Sequence, residues 1–211
     1  MIEILFKGVA IGLLTSAPMG PINMLCVQRT LNRGRWHGFV TGLGALSSDL
    51  IYGFVTLWGM TFAADFLTKN EMKLQFIGSV VLVLFGLSVF KTNPLKGWTP
   101  TLVTDDTRYV RYFFSSFLLT FTNVAILFVF ATLFARFSFN PIVDGQSFLA
   151  AGILGIGLGA LIWWFFLSSF VSHIRKHFNR DGLKLLNRIV GIILMLIGVG
   201  GILMSAFNIS L

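Results

Sequence analysis

Three groups of residues in this chain have the types and setting to do chemistry. Asp49 stands in the middle of an apolar run, in Ser47-Ser48-Asp49-Leu50. A carboxyl group there can carry a proton or meet a cation. The second group is Pro18-Met19-Gly20-Pro21-Ile22-Asn23, inside another apolar run. Two prolines remove two helical N–H donors, and their rings crowd the preceding turn. Each costs roughly 3 kcal/mol in a helix interior, and Gly20 about 1 more. The half-helix restarting near Asn23 offers free N–H groups to an anion such as a substrate carboxylate. The third group is Thr120-Phe121-Thr122-Asn123, whose hydroxyls and amide can bind a carboxylate or an ammonium. Plainer readings stand beside these. The prolines could only bend a helix, and Asp49 could be tied to Ser47, Ser48 or a backbone break. Thr120 and Thr122 could back-bond to their own helix.

The elements that must position these groups are membrane spans. Six apolar runs are long enough, at about 4–28, 38–62, 74–91, 112–135, 147–171 and 186–207. A span needs about 20 apolar residues at about 1.5 Å rise each. The third is the shortest, and Lys73 and Lys91 at its ends can snorkel. Asp49 lies about 11 residues into the second run, roughly 16 Å from its start. Pro18 and Asn123 lie at a similar depth in the first and fourth. The break, the acid and the polar cluster therefore converge on one level. An ionised carboxylate at that depth costs about 2.5–3.5 kcal/mol by insertion scales, so it faces the bundle interior. A broken helix is tolerated in hydrocarbon only where protein or a wet cavity covers it. Such breaks hold substrates or ions in transporters. Trp163 and Trp164 lie deep in the fifth run. Neighbours on a helix point about 100° apart, so only one need face inward; Trp164 is taken as that one. Trp36, Trp98, Tyr109 and Tyr112 read as interfacial aromatics.

Composition agrees. The 211 residues are 55% hydrophobic and 11% charged, with mean hydropathy +0.84. A soluble domain would be about 25% charged. The net charge of +8 does not point to nucleic acid, because the bases sit in short loops between apolar runs. Twelve of the 16 Lys and Arg fall in loops one, three and five, including Arg29, Arg33 and Arg35 in the first. Those loops are thus expected on the cytoplasmic side and both termini outside. The first run lacks a basic n-region and ends in arginines, so it reads as a retained span. Cys26 is the single cysteine, which leaves no internal disulfide or thiolate cluster. His173 and His177 are four apart but have cationic neighbours and no supporting carboxylates, so no metal and no cofactor is expected. No phosphate-binding loop and no pair of membrane acids suggests an enzyme.

The chain divides into two halves, 1–91 and 112–211, joined by a cytoplasmic connector at 92–111. Gly42-Leu43-Gly44-Ala45-Leu46 in the second run recurs as Gly157-Leu158-Gly159-Ala160-Leu161 in the fifth. Both lie in the middle span of a three-span half. An odd number of spans per half inverts the second relative to the first. The expectation is an all-α membrane protein of six helices in two inverted three-helix repeats, with the first helix broken and the fourth a candidate for a second break. Glycine-lined faces let helices approach closely, and they also permit a homodimer.

These residues resemble the LysE/RhtB family of bacterial amino-acid exporters over essentially the whole chain. The resemblance is carried by Pro18 through Asn23, by Arg29-Thr30-Leu31 and Gly34, and by Gly38 through Tyr52. It continues in Phe117 through Asn123, Gly155 through Trp164, and Leu186 through Gly191. It implies the inverted three-plus-three helices and export of amino acids or derivatives driven by the proton motive force, across the bacterial inner membrane. There are departures from the family pattern. Met19 separates Pro18 from Gly20 where the family has Pro-Gly-Pro, Val124 follows Asn123 where it has Pro, and Ser48 precedes Asp49 where it has Gly. Pro18, Gly20, Pro21, Asn23, Asp49, Thr120, Thr122, Asn123 and Trp164 are the expected substrate or coupling residues. The expected partners are an amino acid, protons and the lipid bilayer. The alternatives are a non-transporting scaffold or partner subunit, and a lipid-processing enzyme built on the loop histidines.

Overall fold

The computed structural model describes residues 1–62, 71–91, 109–123, 125–173 and 180–207. The connector at 92–108, with Trp98 and the Asp105-Asp106 pair, lies outside the described residues, as do Lys69, Arg175, Lys176 and His177. Eight α-helices and no strand are found among the described residues. They are α1 (Ile2–Ser16), α2 (Pro21–Arg33), α3 (Arg35–Phe62), α4 (Glu71–Lys91), α5 (Tyr109–Phe121), α6 (Ile126–Arg136), α7 (Gln146–His173) and α8 (Arg180–Ala206). The last three residues of the expected connector, Tyr109 to Arg111, are thus the first turn of α5.

Among the described residues, three helices are long and apolar enough to cross a membrane: Arg35–Met60, Gln146–His173 and Asn187–Ser205. The pairs α1–α2 and α5–α6 each pass the same test together but bend, by 78° and 72°. Phe76–Lys91 is a shorter apolar helix. The outer surface is apolar, with Trp58, Leu84, Leu154, Phe165 and Leu196 exposed. A water-facing bundle would carry charges there, so this exterior fits lipid.

Local chemistry sets the breaks. The last α1 bond runs from the Ala17 N–H to the Leu13 carbonyl at 2.9 Å, and Pro18 can donate no further one. Gly20 is extended and caps α2, whose first residue is Pro21. That is the helical position where a missing N–H costs nothing. The second bend forms without a proline. The Asn123 N–H donates to Thr120 and the Ile126 N–H to Asn123, as turn bonds of 2.9 and 3.1 Å. Between α2 and α3 the reversal takes one residue, Gly34, at φ +98°, a conformation that L side chains rarely adopt.

Glycines set the closest helix contacts. A Cβ on Gly12 would collide with the Ile156 carbonyl, and one on Gly159 with the Val9 carbonyl, so α1 and α7 touch backbone to backbone. Gly86 and Gly191 do the same for α4 and α8, each Cβ falling 2.8 Å from the other's carbonyl oxygen. Gly44 lets α3 meet the α5 backbone at Phe113, and Gly42 receives the Trp164 ring. Lipid offers no hydrophobic drive between helices, so this close approach supplies the association energy. The central core is Ile11, Leu57, Phe130, Phe134, Ile156 and Leu167, all fully buried.

Candidate functional site

The first break is closed by two asparagines. The Asn23 Nδ2 donates to the carbonyls of Ser16, at 3.0 Å, and Pro18, at 2.8 Å. Its Oδ1 accepts the Trp163 indole N–H at 3.0 Å. The Met19 N–H donates to Asn187 Oδ1 on α8 at 3.0 Å, and Asn187 Nδ2 donates to the Val89 carbonyl on α4 at 2.6 Å. The Gly20 N–H donates to the Pro18 carbonyl at 2.8 Å. Polar backbone that a buried helix break would orphan is thus paired by side chains from α2 and α8. Asn187, only 1% exposed, belongs to the Leu186 through Gly191 stretch of the family resemblance and is not among the residues expected at the site. Trp163, rather than Trp164, holds the break. Both tryptophans are buried, but Trp164 packs on Gly42 of α3 and its indole N–H has no partner.

The two breaks meet. A cavity of about 310 Å³ is lined by Thr15, Pro18, Met19 and Gly20 from the first and by Asn123 and Ala125 from the second. Phe85, Ser88 and Val89 of α4, Ile126 and Val129 of α6, and Asn187 of α8 complete it. Of the residues expected from sequence, Pro18, Gly20 and Asn123 line this cavity together. Pro21 and Asn23 are not among its lining residues; Pro21 starts α2, and Asn23 ties the bend. Thr122 is exposed, and its hydroxyl donates to the Leu119 carbonyl of its own helix at 3.0 Å; it is not a lining residue.

Asp49 is 3% exposed and its Oδ1 has no hydrogen-bond partner. It does not line the cavity. Its neighbours in α3 are engaged with α5: Ser48 Oγ donates to the Phe117 carbonyl at 2.8 Å, and the Tyr52 hydroxyl donates to the Phe121 carbonyl. Asp49 and Thr120 therefore sit on facing stretches of two helices running side by side. The Thr120 hydroxyl is also buried without a partner, as is that of Ser16, just before the first break. Buried polar groups are nearly always paired. Several unpaired ones around two breaks mark a region with bonding capacity left over.

Arg29 and Arg136, which charge counting assigns to loops, are buried against neighbouring helices. Arg29, 9% exposed, donates to Thr41 Oγ1 and the Tyr112 carbonyl, both at 3.0 Å, and to Ser115 Oγ at 2.7 Å. Its guanidinium lies 4.6 Å from the Tyr112 ring centroid. That tyrosine is buried and not an interfacial aromatic, whereas Trp36 and Tyr109 are exposed. Arg136, 7% exposed, reaches the Ile197 carbonyl of α8 at 3.4 Å. No sequence signal separates such arginines from loop ones. Among the described residues no three His, Cys, Asp or Glu side chains gather as metal ligands do.

Comparison with known proteins adds three findings. The family model described as LysE type translocator matches residues 13–205. The chain is 28% identical over 206 residues to the "Putative amino acid efflux protein YcgF" of Bacillus subtilis (strain 168), covering 93% of each chain. No solved structure matches it.

Proposed function

We propose, since the chain belongs to the LysE type translocator family, that this translocator is a secondary active exporter of amino acids or small amino-acid derivatives, coupled to protons. The observation that carries the reading is the meeting of two helix breaks, distant in sequence, in one cavity. A relative described as an amino acid efflux protein supports the substrate class. The cavity volume of about 310 Å³ falls at the lower end of small-molecule sites, about 300–1,000 Å³.

The helix pairing supports six spans in two inverted halves, 1–91 and 112–211. Exchange α1 with α5, α2 with α6, α3 with α7 and α4 with α8. The packed pair α1–α7 becomes α3–α5, α2–α7 becomes α3–α6, and α1–α6 becomes α2–α5, each of which is also a packed pair. The pairs α3–α7 and α4–α8 become themselves. The pairs α2–α3 and α4–α6 depart from this exchange, so the second segment of each broken span leans on a different neighbour. Unequal packing of otherwise equivalent halves is what alternating access requires, since exchanging the two arrangements moves the opening across the membrane.

In this mechanism the amino acid enters from the cytoplasmic side, where loops one, three and five carry the bases. Its carboxylate meets the start of α2, whose first-turn N–H groups have no helical acceptor. Asp49, on the adjoining span, takes up and releases the proton. Its charged form is costly at this depth, so its proton occupancy is coupled to whether water reaches it. Export runs outward across the cytoplasmic membrane of a bacterium, with both termini outside. Purified protein in lipid vesicles, given labelled amino acids and an imposed pH gradient, is expected to accumulate substrate on the side the gradient dictates. Folded protein that moves no amino acid under any gradient would overturn the reading in favour of a scaffold.

A further inference from the structure

We infer that the exported amino acid has an uncharged, largely apolar side chain. This rests on the export reading above and adds to it the substrate class of the cavity between the two breaks. Among the described residues, twelve line that cavity and none of them is ionisable. Its walls are the side chains of Met19, Phe85, Val89, Ile126 and Val129. Polar groups project only at a few points: Thr15, Ser88, Asn123 and Asn187.

This division matches the two ends of an amino acid. The amino and carboxyl groups common to all amino acids can bond to hydroxyls, amides and the start of α2. The side chain must then lie on the apolar wall. A lysine ammonium or glutamate carboxylate placed there would lose its hydration with no opposite charge to replace it, which is strongly unfavourable. The charged groups around the lining are otherwise placed: Lys91, two residues after Val89, is exposed at the end of α4. Asp49 is buried and is not among the lining residues. Arg188, beside Asn187, is exposed, with its guanidinium 5.9 Å from the Phe90 ring centroid. An aliphatic or thioether side chain, by contrast, replaces water against Val89, Ile126 and Val129 and is favoured by the area it covers.

The test is counterflow exchange in vesicles holding the full chain, which needs no gradient and so does not depend on proton coupling. The probes are labelled leucine, methionine, lysine and glutamate. Leucine and methionine are expected to exchange at least about tenfold faster than lysine or glutamate, since each 1.4 kcal/mol of unreplaced hydration is a factor of ten. Lysine or glutamate exchanging as fast as leucine would overturn the inference and leave amino-acid export standing. Exchange of none of the four by folded protein would overturn export itself and this inference with it. Two substitutions then place the selectivity in this cavity. Val129→Asp and Ser88→Asp are each expected to raise the lysine-to-leucine rate ratio at least about tenfold. The ratio is taken within one preparation, so a smaller folded fraction scales both rates alike. Ser88 is exposed and Val129 half-buried, so Ser88→Asp disturbs the packing less. An unchanged ratio in the folded variants would overturn the assignment.

Discussion

The Trp163 indole N–H donates to Asn23 Oδ1 at 3.0 Å across 140 residues of chain. This bond joins α7 to the base of the first break. Asn23 in turn holds the carbonyls of Ser16 and Pro18. Asn23→Leu leaves both carbonyls and the indole unpaired in a buried setting, at about 1–3 kcal/mol for each group left without a partner. Thermal unfolding in detergent is expected to show a large loss of stability. Trp163→Phe is expected to cost less, and in the Asn23→Leu background to cost little more. Additive losses in that double-mutant cycle would mean the bond does not hold the bend.

Asp49→Asn is expected to keep the fold and abolish gradient-driven export. The substitution removes a charge that costs about 2.5–3.5 kcal/mol at mid-membrane depth, so melting temperature stays level or rises. Counterflow exchange of leucine is expected to survive while accumulation against a pH gradient is lost. Accumulation equal to wild type would remove Asp49 from the coupling.

Arg29 donates to three acceptors on α3 and α5. Arg29→Lys replaces a planar fork with a single ammonium that cannot hold the same geometry. The expected loss is about 1–3 kcal/mol, the range for hydrogen bonds to charged groups. Unfolding of Arg29→Lys at the wild-type temperature would mean the guanidinium contacts contribute nothing to the folded state.

Glycine positions separate into two kinds. At Gly12 an added Cβ meets the Ile156 carbonyl, and at Gly59 it meets nothing within 4 Å. Gly12→Ala is expected to force α1 and α7 apart, at about 1–3 kcal/mol or more. Gly59→Ala is expected to be neutral or stabilising by up to about 1 kcal/mol. Equal melting temperatures for the two variants would contradict the backbone contact between α1 and α7.

Much of this architecture follows from local rules that the sequence obeys without help. Pro18 and Pro21 have no N–H to give, so a break or a kink over residues 17–20 follows before any neighbour is considered. Run length and composition assigned the membrane, and counting residues put Asp49 well inside its apolar run, where the structure has it buried. Which groups close the first break was decided only by packing. Asn187 and Trp163 reach it from α8 and α7, and their bonds depend on helix register that no local pattern encodes. The same limit hid Arg29 and Arg136: a basic residue near a helix end looks alike in sequence whether it meets water or a neighbouring helix. The bend at Asn123 forms with no proline, through turn bonds that a local proline count does not anticipate. The cavity belongs to the tertiary structure for the same reason. Its polar floor comes from the two breaks, but its apolar walls come from α4 and α6, and the side chains that share a hollow are fixed by how helices pack.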